Sequence, residues 1–137
     1  MDRKYRYIID MSCFWDTIIK KLNKEDINHI LGIINPDPKQ FSNILKNKNC
    51  KTENVLWNSN ELTDKEKEEN YDHINEYDSN TINNGYMCST CDPFLLLIAE
   101  LFKIEINHVY NGTKVIYKYS KECKYSITIQ SNTGHMW

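Results

Sequence analysis

The chain has 137 residues, of which 40% are hydrophobic and 12% aromatic, and a formal net charge of −2. That length supports one compact domain burying roughly two-thirds of its unfolded surface, and the near-neutral charge supplies no field that would draw it to nucleic acid. Met1-Asp2-Arg3-Lys4-Tyr5-Arg6 is charged and no long apolar run follows it, so neither a secretory leader nor a membrane span is expected; five scattered cysteines, an odd number, fit reduced thiols in a cytoplasmic compartment better than a disulfide framework.

Taken in order, Tyr5 to Ile9 reads as a short extended lead-in and Cys13 to about Leu22 as the first helix, with Phe14, Trp15, Ile18, Ile19 and Leu22 apolar at helical spacing. Asn23 is a natural N-cap for a short helix through Ile27, Ile30 and Leu31 that stops at Gly32. Asn35-Pro36-Asp37-Pro38 breaks the chain. Asp37 then caps a helix carrying Phe41, Ile44 and Leu45, with Pro38 in its first turn. From Lys46 to Asn60 the pattern loosens, Val55-Leu56-Trp57 is the one apolar anchor, and a loop over the core is expected. Thr63-Asp64-Lys65-Glu66 has capping-box spacing and predicts a polar helix. Asp92-Pro93 opens the most hydrophobic segment, Phe94 to Phe102, apolar nearly all round and therefore a buried central helix. Ile104 to Tyr110 and Thr113 to Tyr119 flank Asn111-Gly112 as a two-residue hairpin, and Lys124 to Gln130 alternates as a third strand. Helices first and strands last predict an α+β domain in which helices pack on a small antiparallel sheet.

Two residues carry the chemistry. Cys13 falls at the start of its helix, where unpaired N–H groups and the positive end of the helix dipole can lower a thiol pKa from about 8.5 to between roughly 3.5 and 7.5. Such a thiolate needs a base, and His135 follows the last strand directly, with Gly134 allowing close backbone approach. His29 and His108 fall on a short helix and a hairpin strand and read as structural. Asn111-Gly112-Thr113 also has the form of a glycosylation sequon, but the turn explains it.

Around these residues the chain resembles the ovarian-tumour (OTU) class of papain-like cysteine proteases, many of them deubiquitinases and several of them viral. Asp10, Cys13 and Phe14 stand where the family reads Asp-Gly-Asn-Cys followed by Leu or Phe. Asn84-Gly85-Tyr86, the helix Asp92 to Lys103, Ile104-Glu105-Ile106 and Val115-Ile116-Tyr117 follow the family's order. Gly134-His135 is similar to its catalytic histidine. The resemblance implies one OTU-like domain over residues 1–137, with Cys13 as nucleophile, His135 as base, and an oxyanion hole from the Asp10-Met11-Ser12 loop and the Cys13 N–H. Met11-Ser12 replaces the family's Gly-Asn. Trp137 stands two residues after the histidine, where the family carries Asp or Asn, so an orienting acid comes from elsewhere or is absent, and the resemblance to viral members makes Asp10 the best candidate. The implied substrate is ubiquitin or a ubiquitin-like conjugate, or a viral polyprotein junction, handled by a monomer in the cytoplasm, of the host if the chain is viral.

Residues 61 to 78 hold eight acids and two lysines, a local charge of −6. A solvated face is the usual meaning of such a run; a dock for the basic face of ubiquitin is the functional one, with Glu66, Glu68, Glu69 and the aromatic Trp137 as expected substrate contacts. Cys88-Ser89-Thr90-Cys91 has zinc-knuckle spacing, but no second pair accompanies it. No metal or cofactor is expected, and the segment reads as a loop entering the Asp92 helix. An inactive OTU-like protein-binding module and a zinc-stabilised interaction domain are the alternatives to an enzyme.

Overall fold

The computed structural model describes residues 8–81, 85–87, 91–132 and 135–137, with side chains described at all of these except 8–12, 81, 85–87, 91 and 135. Residues 5–7 of the expected lead-in, Asn84, Cys88 to Thr90 and Gly134 lie outside the described residues.

Strand β1 (Ile8–Asp10) runs directly into helix α1 (Met11–Lys21), which buries Phe14, Trp15 and Ile18 completely. Asn23 Oδ1 accepts from the N–H groups of Glu25 and Asp26 and so starts α2 (Lys24–Asp26), which continues as a wider turn over Ile27–Leu31 and ends at Gly32 in the left-handed conformation, φ 72°. Helix α3 (Pro38–Asn47) opens with a full capping box between Asp37 and Gln40, and α4 (Asp64–Glu76) with one between Thr63 and Glu66. Helix α5 (Cys91–Phe102) is buried without interruption from Asp92 to Ala99.

Helices α1 and α5 pack on a six-stranded sheet of order β3-β2-β6-β5-β7-β8, and α3 and α4 pack in turn on α1 and α5. Its members are β2 (Val55–Trp57), β3 (Asn60–Glu61), β5 (Glu105–Tyr110), β6 (Thr113–Tyr119), β7 (Ser126–Asn132) and β8 (His135–Met136); β4 (Gly85–Met87) pairs separately with β1. The Asn111-Gly112 turn joins β5 to β6 as the sequence predicts, with φ values of 46° and 84°. Along β7, Ile127, Ile129 and Ser131 are buried and the alternate residues exposed, so one side of the sheet faces the helices and the other solvent.

The α+β class is as expected; the direction of the strands is not. The sheet is mixed rather than antiparallel, because β7 lies parallel to β5, pairing Glu105 with Ser126 through Tyr110 with Ser131. The chain leaves β6 and crosses the start of β5. There the Lys124 N–H donates to the Lys103 carbonyl (2.8 Å) and the Glu105 N–H to the Tyr125 carbonyl (3.1 Å). Alternation of Tyr125, Ile127 and Ile129 specifies a strand and its inner face but carries no information on direction. Val55-Leu56-Trp57, expected in a loop, is a strand paired with β6, where Trp57 stacks on Tyr117 with ring centroids 6.5 Å apart. Among the described residues no helix is long and apolar enough to cross a membrane.

Helix α5 ends with Lys103 at φ 58° and the Ile104 N–H bonded to the Ala99 carbonyl at 3.2 Å, the six-to-one bond of a Schellman cap. A lysine there carries the left-handed penalty that glycine escapes, so Lys103→Gly should raise stability by about 0.5–1 kcal/mol. Gly32→Ala should lower it by about 1 kcal/mol, a backbone cost alone, since an added Cβ meets nothing within 4 Å. Urea unfolding midpoints read both; a Lys103→Gly midpoint at or below the parent's contradicts the cap.

Candidate active site

Cys13 is the third residue of α1, in the first turn, where backbone N–H groups have no intrahelical acceptor. The expected oxyanion loop is not a loop. Asp10 is the last residue of β1, and Met11 and Ser12 are the first two of α1, so any donors they contribute are N-terminal helix N–H groups rather than loop amides. The register of β1 with β4 sets Asp10 opposite Gly85, and β1 also touches β8, so the chain segments of Asp10, Cys13, Gly85 and His135 converge at the start of α1.

His135 does not end the strand it was expected to end. The chain reverses after β7, and His135 pairs with Asn132 on the short return strand β8. Gln130 and Trp137 exchange both main-chain hydrogen bonds (2.8 and 2.7 Å), so the next residue along, Met136, turns its N–H and C=O to the outer edge of the sheet. Helix α1 covers that edge. The Cys13 thiol donates to the Met136 carbonyl (2.9 Å), the Met136 N–H donates to Cys13 Sγ (3.3 Å), and the Thr17 hydroxyl, one turn along, donates to the same carbonyl (3.3 Å). The sulfur is thus engaged by both main-chain groups of one residue, with the N–H donating to it and the carbonyl accepting from its S–H.

Burial first, then Glu100 and Glu53, push the Cys50 thiol up, and burial also pushes the Cys123 thiol up. Cys88 lies outside the described residues, and Cys91 is the first residue of α5.

A second imidazole stands two strands in from Cys13. His108, fully buried on β5, holds its Nε2 2.6 Å from Ser131 Oγ, and Ser131 is the register partner of Met136. Sequence reasoning set His108 aside and missed Thr17 and Ser131. The available signal was parity, because His108 shares the inward alternation of Ile106 in β5.

The acidic residues lie elsewhere. Glu66 is engaged in capping α4, accepting from the Thr63 N–H at 2.9 Å, and lines a shallow pocket with Trp57, Asn60 and Glu61 at the β2–β3 edge. Glu68 and Glu69 are exposed, and Glu69 lies 3.8 Å from Lys65. Five strand spacings of about 4.8 Å put that edge roughly 24 Å from β8. Trp137, 47% exposed, is by contrast beside the site, in a groove between α1 and β8.

Comparisons with protein-family models, with curated proteins and with solved structures return no match for this chain.

Because Cys13 and Thr17 share one acceptor, removing either leaves the Met136 carbonyl with the other. Thr17→Val and Cys13→Ala should each cost about 0.5–1.5 kcal/mol. Together they should cost roughly 1 kcal/mol more than their sum, since only the double variant strands the carbonyl. A double-mutant cycle by urea unfolding measures this; additivity within about 0.5 kcal/mol contradicts the shared acceptor.

Proposed function

We propose that the chain is a cysteine-type peptidase resembling the OTU class, with Cys13 as nucleophile and His135 as general base, acting after the C-terminus of ubiquitin or a ubiquitin-like protein. The observation that carries this reading is the contact of Cys13 Sγ with the main chain of Met136 at 2.9 and 3.3 Å, which closes a separation of 123 residues and brings the strand of His135 against the helix-start thiol. Support comes also from the convergence of Asp10, Cys13, Gly85 and His135, the positions on which the family resemblance rests.

In this mechanism the thiol leaves the Met136 carbonyl and passes its proton to His135. The thiolate attacks the peptide or isopeptide carbonyl carbon, and the N–H groups at the start of α1 receive the oxyanion. The C–N bond then breaks, the amine leaves with the proton held by His135, and water hydrolyses the thioester to a carboxylic acid and the restored thiol. Asp10, at the β1–α1 junction, orients the imidazole or fixes the helix start. Glu66, at the β2–β3 edge, is a remote contact that only a partner large enough to span the sheet would reach.

One observation favours a second reading, an inactive protein-binding module of the same shape: Cys13 Sγ is engaged by both main-chain groups of Met136.

A ubiquitin C-terminal electrophile separates the two. Covalent labelling at Cys13, abolished in Cys13→Ala and reduced at least about 100-fold in His135→Ala, is expected of the peptidase; binding without labelling identifies the module. Asp10→Ala should lower kcat by about tenfold or more, 1.4 kcal/mol, with a smaller change in KM. An unchanged kcat leaves a Cys13–His135 dyad without a third member.

A further inference from the structure

Among the described residues only two large hydrophobic side chains are exposed, Ile34 at 72% and Trp137 at 47%. Each lines a groove. The first, of about 560 Å³, runs between α1 and β8 and is walled by Thr17, Lys21, Met136 and Trp137. The second, of about 600 Å³, lies under the turn after α2 and is walled by Ile19, Ile27, Ile34 and Pro36 with Lys24 at its rim. Lys20 lines both, so the two grooves meet across one side chain.

The helical repeat sets the thiol on the same side of α1 as this track. Cys13, Thr17, Lys20 and Lys21 recur at four-, three- and one-residue steps and so share one side of α1, while Phe14, Trp15 and Ile18 fill the core on the other. Lys20 lies seven residues beyond Cys13, about 10 Å along the axis, a span that an extended peptide covers in about three residues. Both lysines are exposed, and no ion pair to Lys20, Lys21 or Lys24 occurs among the described residues. One carboxylate, Asp16, also borders the first groove; the second holds none.

We infer that this track binds an extended peptide segment in which an acidic residue, seated at Lys20 and Lys21 about three positions before the residue at Cys13, is preceded by an apolar side chain that enters the Ile19–Ile27–Ile34 groove. Charge complementarity selects this occupant: cations stand midway along the track, and apolar walls stand at either end. The inference deepens the proposed function by naming the tail the peptidase would accept, and rests on that reading only for its link to cleavage. A basic tail meets like charge at Lys20 and Lys21. The substrate is accordingly a ubiquitin-like modifier whose tail carries an acidic residue preceded by an apolar one.

Binding is measured without catalysis, on the Cys13→Ala protein, by fluorescence anisotropy of fluorescein-labelled hexapeptides with Asp, Asn or Lys at the central position and Leu before it. The Asp peptide should bind about fivefold tighter than the Asn peptide at low salt, and the gap should narrow at 0.15 M salt because both lysines are exposed. The Lys20→Glu/Lys21→Glu variant should reverse the order of the Asp and Lys peptides, and Ile34→Asp should weaken the Asp peptide only when Leu precedes the acid. Equal binding of the three peptides, no binding of any, or an acidic preference that survives the charge reversal overturns the proposal. Should the acidic peptide bind as expected while Cys13 of the parent resists the ubiquitin electrophile and a matching peptide electrophile, the groove stands and the peptidase reading falls.

Discussion

Trp15 is the anchor from which the rest of the arrangement follows. Its ring is completely buried, meets Phe14 and Phe94 edge-on at 4.9 Å and Phe41 at 5.8 Å, and donates its indole N–H to the Tyr77 hydroxyl at 3.1 Å. One side chain thus ties α1 to α3, to the end of α4 and to α5. A buried indole with its N–H satisfied is worth several kcal/mol, and truncating one typically costs about 3–5 kcal/mol. With Trp15 fixed, the side of α1 bearing Cys13 and Thr17 is turned to the one sheet edge that needs covering. The helix start becomes a fixed wall of a site rather than a frayed end.

That edge is a consequence of how the sheet closes. Strand β8 contributes two residues, too short to hold itself to β7 by many bonds, and its outer N–H and C=O would be orphaned without a partner. Cys13 and Thr17 supply the partners. A thiol at a helix start and a hydroxyl one turn later therefore have a structural role as well as any chemical one. At the far edge, β3 is equally short and is joined to β2 by Asn58 and Ser59, both with positive φ, while Asn58 bonds to Ile116 through its main chain and side chain. Between these edges, Asp92 at the start of α5 accepts from the buried Tyr117 hydroxyl and pins the central helix to the central strands.

How much of this was legible depended on whether the signal was local. Asn23, Asp37 and Thr63 declare their helices because a cap is written in four adjacent residues, and Asn111-Gly112 declares its hairpin because both positions tolerate positive φ. The Asn58-Ser59 turn has the same backbone but lacks the glycine that marks it, and Val55 to Trp57 is too short to show a period, so β2 and β3 were hidden. The parallel placement of β7 is decided by a crossing over β5 that no residue pattern encodes. At the site, Cys13 was visible as a helix-start thiol. What holds it was not, because Met136 acts through its main chain, which has no identity in a sequence. The track at Lys20 and Lys21 was likewise invisible, since exposed lysines gain meaning only from the grooves on either side.

The central claim is that Cys13 covers the outer edge of β8 and so brings the strand of His135 to the start of α1. Amide hydrogen exchange at Met136 tests it most directly, because its N–H points away from β7 and its acceptor is Cys13 Sγ. Protection of the Met136 amide in the parent protein, lost in Cys13→Ala while the Trp137 amide, bonded to Gln130, stays protected, is the predicted result. A Met136 amide that exchanges at the rate of an exposed one in the parent, or that keeps its protection in Cys13→Ala, contradicts the account.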